Sequence, residues 1–205
     1  MNTHLAYRFS LAVALSALPL LSSCSMNKNL KKAEVVAEEK QKEAPKPPLF
    51  GWDDEDATGS PAVKISLGEQ KAYVYRGGKR VAWTMLASGV QGHESPTGSF
   101  TILEKIAKKE SNLYGIIVDA DGDVVNWDAK AGVSRIPKGG KFVGAPMPHW
   151  MRITSSGVGM HEGNIPNPGS PASHGCIRLP GEMAAKLFEI VEVGTPVTIT
   201  GSAPD

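Results

Sequence analysis

Ser170–Pro180 reads SPASHGCIRLP and holds one of only two cysteines in a chain of 205 residues. The thiol of Cys176 sits between His174-Gly175 and Ile177-Arg178, and His161 lies a short way upstream. Three chemistries compete for such a set. Zinc accepts both His and Cys, but His174 and Cys176 stand only two apart and no fourth ligand is evident. A structural reading makes Cys176 a small buried hydrophobe and each His a satisfied core residue. The third reading is a thiol nucleophile with an imidazole base, because a thiol attacks a carbonyl as thiolate and a nearby His can take its proton. Gly175 permits unusual backbone angles beside the thiol. It also lets a substrate approach backbone N–H groups able to hold an oxyanion. Taken singly, each residue favours the structural reading; taken together, amid glycines, they favour the nucleophile.

The other cysteine lies near the N-terminus. Arg8 is followed by the apolar run Phe9–Leu21 (FSLAVALSALPLL), which has signal-peptide length and is too short to span a bilayer. Leu21-Ser22-Ser23-Cys24 then resembles the lipobox of bacterial lipoproteins, which implies cleavage after residue 23 and lipid on Cys24. A plain secretory signal with an incidental Cys is the alternative. Ser25 follows in place of Asp, which by the same resemblance points to the outer membrane, facing the periplasm, in a Gram-negative cell. With Cys24 acylated, Cys176 has no partner for a disulfide within the chain, and a lone thiol in an oxidising space is a sign of reactivity.

Charge excludes one broad class of function. Lys and Arg number 22 against 21 Asp and Glu, and loss of residues 1–23 removes only Arg8, so no basic face for nucleic acid is expected. The segment 24–60 reads as a lipidated Cys and a flexible tether. Asn27–Pro48 mixes Lys with Glu, lacks aromatics and ends in prolines. As a coil, the stretch from Cys24 to Pro61 spans roughly 35 Å. Phe50–Ser60 is acidic and reads as irregular.

A single domain is expected over residues 61–201. Its 22 Gly and 15 Pro favour a turn-rich, strand-rich fold over a helical bundle. Val63, Ile65 and Leu67 alternate with polar neighbours, the mark of a half-buried strand. Gly77-Gly78 predicts a hairpin between strands at 72–75 and 80–88, and Asp121-Gly122 another between 113–118 and 124–127. Further strands are expected at 99–103, 151–154, 158–161 and 196–200. Met183, Leu187, Ile190 and Val191 have helical spacing over Glu182–Val191, and Gly194 follows as a stop. Asp119–Asp123 fails as a calcium loop, since Gly is fourth and Lys130 occupies position 12. Gly77–Arg80 is not a phosphate loop, and no G-x-S-x-G elbow exists.

Ser173–Arg178 (SHGCIR) resembles the S/T-H-G-C-hydrophobic-Arg/Asn signature of the L,D-transpeptidase catalytic domain (YkuD-type). Ser95–Phe100 (SPTGSF) resembles that family's P-T-G-x-F segment, Gly159-Met160-His161 its upstream G-x-H, and Gly194–Val197 its closing strand. Ser111–Gly115 and Ala145–Pro148 are similar to segments of its periplasmic members. The resemblance implies a mainly β fold, a curved two-sheet sandwich with one helix near the C-terminus. It implies acyl transfer on peptidoglycan stem peptides through a thioester, giving 3→3 crosslinks or protein attachment to the wall. The alternatives are an L,D-carboxypeptidase on the same peptides and a non-catalytic wall-binding lipoprotein. Carried over, Cys176 is the nucleophile and His161 the base, oriented by the Glu162 carbonyl. The N–H groups of Gly175 and Cys176, with His174, form the oxyanion hole, Ser173 hydrogen-bonds within the loop to shape the site, and Arg178 holds site geometry or a substrate carboxylate, unless it is a structural ion pair. No cofactor or metal is expected. Glu162 departs from the family, many of whose members have His-Gly where this chain has His-Glu-Gly, and this is expected to alter acceptor choice or a pKa.

Overall fold

Residues 46–201 are described by the structure, a computed structural model. Alternation decides its largest sheet. Val63 and Ile65 on β2 (Pro61–Ser66), Ala72 and Val74 on β3 (Lys71–Arg76), and Val197 and Ile199 on β13 (Pro196–Thr200) are all buried. Apart from buried Ser66, their neighbours along each strand are only partly buried or exposed, as a period of two requires. With β1 (Phe50–Trp52), β4 (Lys79–Met85) and β5 (Gly98–Thr101) they form a six-stranded sheet in the order β1-β4-β3-β2-β13-β5. The Gly-Gly turn joins β3 to β4 as expected, with φ of 54° at Gly77 and 86° at Gly78, which a two-residue hairpin turn demands.

A four-stranded sheet faces it, ordered β12-β11-β10-β6, from β6 (Glu104–Ile106), β10 (Trp150–Arg152), β11 (Gly159–Glu162) and β12 (Ile177–Leu179). One core joins the two: Ile65, Val74 and Ile199 from the first pack with Met151, Met160, Ile177 and Leu179 from the second. Helix α1 (Gly181–Ile190) adds Met183, Ala184 and Leu187, and Val191 caps it through an N–H bond to the Leu187 carbonyl. A third sheet stands apart from this sandwich. It is ordered β8-β7-β9 and is built from β7 (Glu110–Val118), β8 (Val124–Lys130) and β9 (Lys141–Pro146). The Asp121-Gly122 turn closes its hairpin, where the Asp119 N–H donates to the Asp123 carbonyl at 2.9 Å.

Several expectations need correction. The sheet reaches further towards the N-terminus than Pro61: Phe50–Trp52 is not irregular but pairs antiparallel with Ala82–Thr84. Phe50 and Trp52 pack against the core, and that burial orders a segment whose flanking acidic residues suggested a coil. Strands β6 and β9 were not anticipated, because neither has alternating apolar residues. The fourth strand ends at Met85 rather than Ser88; Leu86–Ser88 leave its ladder to back the loop that carries Cys176. Cys24, the signal segment and the tether up to residue 45 lie outside the described residues.

Candidate active site

The SHGC segment lies where β12 begins, beside β11, and the two strands run parallel. Parallel neighbours need a long crossover, and Gly163–Cys176 supplies it. In this register Met160 faces Ile177 and His161 faces Arg178. Met160, Ile177 and Leu179 point into the core and are fully buried. Alternation then puts His161, Arg178 and Cys176 on the opposite face, and all three line one cavity of about 720 Å³.

Each side chain is held from behind. His161 is 6% exposed, and its Nδ1 lies 2.6 Å from the Glu162 carbonyl oxygen. That contact sets Nδ1 as the protonated nitrogen and leaves Nε2 as the basic one. The Trp150 ring lies 6.0 Å from the His161 ring, and its own Nε1–H donates to Glu104 Oε1 at 3.1 Å. The Arg178 stem lies over Gly163, where a Cβ would come within 2.8 Å of its Cγ. Burial pushes the His161 pKa down to about 4, against the pull of the Glu162 carbonyl, and the Arg178 charge lowers it further. Burial likewise pushes the Cys176 thiol up, opposed by the Gly159 N–H and by Arg178. At neutral pH the resting pair is thus a neutral imidazole and a neutral thiol. A neutral imidazole is the form able to accept a proton.

The loop around the thiol is tied by hydroxyls. Ser173 Oγ donates to the Cys176 carbonyl at 2.5 Å and accepts the Gly175 N–H at 3.1 Å. Gly175 has φ of 110°, a conformation that disfavours any side chain. Its N–H is engaged by Ser173 Oγ, so of the Gly175 and Cys176 N–H groups the Cys176 one is left beside the sulfur. His174 stands further out. Its ring stacks on Tyr114 of β7 at 4.3 Å and 9°, meets His93 edge-on at 4.9 Å, and has Asp128 of β8 at 3.5 Å. His174 therefore joins the third sheet to the SHGC loop and is not placed as the base. Glu162 turns away from the cavity. Its carboxylate lies against Gly181 at the start of α1 and 3.2 Å from His149 Nδ1, a proximity rather than a bond, since that nitrogen makes no hydrogen bond.

Behind the loop runs Ala87–Val90. Ala87 and Arg178 exchange both backbone hydrogen bonds at 3.0 Å, and the Ser88 carbonyl accepts from the Ala172 and Ser173 N–H groups. Buried Gln70 holds this segment: its Oε1 accepts the Ser88 N–H and its Nε2 donates to Ser88 Oγ. Gln70, Trp150 and Tyr114 were not singled out as site residues from sequence. Tyr114 lay within the Ser111–Gly115 segment already noted, whereas Gln70 and Trp150 carry no local signal. No three His, Cys, Asp or Glu side chains converge among the described residues as a metal set would.

Residues 60–199 match the family described as L,D-transpeptidase catalytic domain, YkuD. No curated protein matches the chain. Among solved structures, an L,D-transpeptidase from Mycobacterium smegmatis is similar with a TM-score of 0.52 and 21% identity, over 69% of this chain and 59% of that one. A mutant L,D-transpeptidase from Enterococcus faecium gives 0.50 and 26%, over 70% and 50%. The Ldtfm–avibactam carbamoyl enzyme gives 0.51 and 27%, over 70% and 50%. The chain thus spans about half to three-fifths of the length of these relatives. With a match over most of its described residues, the chain belongs to the L,D-transpeptidase catalytic domain (YkuD) family.

Proposed function

We propose that the chain is a cysteine acyltransferase acting on peptidoglycan stem peptides. The observation that carries this reading is the shared face of β11 and β12, which brings the Cys176 thiol and the buried neutral His161 imidazole to one cavity. Cys176 Sγ attacks the carbonyl of the third stem residue as His161 Nε2 takes the thiol proton. The C–N bond to the terminal D-Ala breaks, and the proton passes to the departing amine. A thioester remains on Cys176. An acceptor amine then attacks it, the C–S bond breaks, and the amine's proton returns to sulfur through His161. A stem-peptide amine gives a 3→3 crosslink, a protein amine gives attachment to the wall, and water gives a tripeptide. The amine outcome is favoured because a thioester reacts intrinsically faster with amines than with water.

Incubation of the chain with defined muropeptides, read by mass, tests the reaction. Crosslinked dimers with loss of D-Ala are expected from wild type and none from Cys176→Ser, whose hydroxyl is a far weaker nucleophile. A folded Cys176→Ser with full turnover refutes the mechanism, and tripeptides alone in the presence of abundant acceptor replace crosslinking by hydrolysis. The reading also places the domain outside the cytoplasm, held to a membrane by lipid on Cys24. Cys24→Ala is expected to move the chain from the membrane to the soluble fraction, and a mature N-terminus elsewhere without acyl mass refutes the anchor.

A further inference from the structure

Ser95 is 6% exposed, and its hydroxyl is bonded on both sides. Ser95 Oγ accepts the Gly89 N–H at 2.9 Å and donates to the Gly175 carbonyl at 2.8 Å. The second bond joins residues 80 apart in sequence and fixes one atom of the peptide that precedes the thiol. Gly89 makes the approach possible: a Cβ there would stand 2.9 Å from Gly175 Cα and 1.8 Å from the His93 carbonyl oxygen. Ser95 does not line the cavity, whereas Cys176 does. In a trans peptide the C=O and the following N–H point in opposite directions. With the Gly175 carbonyl held into the buried Ser95, the Cys176 N–H is turned away from Ser95, towards the cavity side. The Gly175 N–H is already engaged by Ser173.

We propose that Ser95 is a positioning residue for acyl transfer, clamping the Gly175–Cys176 peptide so that the Cys176 N–H meets the developing oxyanion. The inference rests on the acyl-transfer reading above. It separates two reactions of the same thiol. Acylation by a carbapenem passes through a tetrahedral oxyanion: the Sγ–C bond forms, the lactam C–N bond breaks, and the proton ends on the lactam nitrogen. Alkylation by iodoacetamide displaces iodide at carbon and forms no oxyanion. A loosened clamp therefore slows the first and spares the second.

The test compares the two rates in full-length wild type and Ser95→Ala, with each adduct mapped to Cys176 by peptide mass. Losing an oxyanion donor costs on the order of 100-fold or more, and a donor that is misaimed rather than removed is expected to cost about 10- to 100-fold in acylation. Alkylation should stay within about twofold, the precision of such rates, since no oxyanion forms. If Ser95→Ala does not fold, Ser95→Cys, of the same shape with weaker hydrogen bonds, carries the same comparison. Unchanged acylation overturns the inference, as does an equal fall in both rates, which marks a merely structural residue. A wild-type chain that is alkylated but never acylated overturns the acyl-transfer reading, and this inference with it.

Discussion

Acidification should cost this domain stability through His161, and the amount follows from burial. The unfolded imidazole titrates at 6.5 and the folded one at about 4. Between these values the unfolded chain binds a proton that the folded chain refuses, so stability falls as pH drops. The contribution is intact above 6.5 and is lost as pH falls through that value towards 4. At pH 4 the loss from this one group is about 3 kcal/mol, taking 1.36 kcal/mol per pH unit. His161 is nearly fully buried, so solvent screening removes little of it. Other groups also titrate over this range, so the measurement is a difference of differences. Urea unfolding of wild type and His161→Gln at pH 7 and pH 4, followed by fluorescence of the four tryptophans, isolates the His161 share. Wild type is expected to lose about 3 kcal/mol more than His161→Gln between the two pH values. An equal loss in the two chains refutes the buried neutral imidazole, and with it the base that the proposed mechanism uses.

The same depressed pKa predicts that carbapenem acylation keeps its rate as pH falls below 6, with the acid limb near 4; a limb near 6.5 contradicts it. Two glycines of the loop should fail differently. At Gly175 an added methyl finds space, with the nearest atom at 3.5 Å, but φ of 110° strains it, so Gly175→Ala should cost about 1–3 kcal/mol in thermal or urea unfolding. Gly89→Ala, blocked at 1.8 Å by a backbone oxygen, should be the more destabilised of the two in the same assay; the reverse order refutes the close approach. Around His174 the stack should outweigh the contact with Asp128. Asp128 is largely exposed, so Asp128→Asn should slow acylation by no more than about fivefold. Tyr114→Ala, which removes the stack, should slow it by roughly 2- to 12-fold. A larger effect at Asp128 would mean that the carboxylate and not the ring contact holds His174.

The chemistry of this protein is written locally. SHGCIR, with a glycine beside a thiol and a histidine upstream, points to the reacting groups proposed above, because nucleophilic chemistry needs residue types of that kind. The same is true of the strands at 61–66, 71–76 and 196–200, whose alternation is enforced by the period of the pleat, and of the two hairpins closed by Gly-Gly and Asp-Gly. Helix α1 differs from its expected span by one residue at each end. Strands β1, β6 and β9 were hidden because their few half-buried residues carry no alternation; their neighbours, not their own sequence, make them strands. Tertiary structure alone decided how the site is assembled. The parallel register of β11 and β12 puts His161 and Cys176 on one face, and no spacing in the chain states the direction of a pairing. Gln70 reaches the segment behind the loop across 18 residues, and Ser95 reaches the loop itself across 80. A serine or glutamine in a sequence is an ordinary polar residue until the sheets close, because burial is what makes its hydrogen bonds specific and its absence costly.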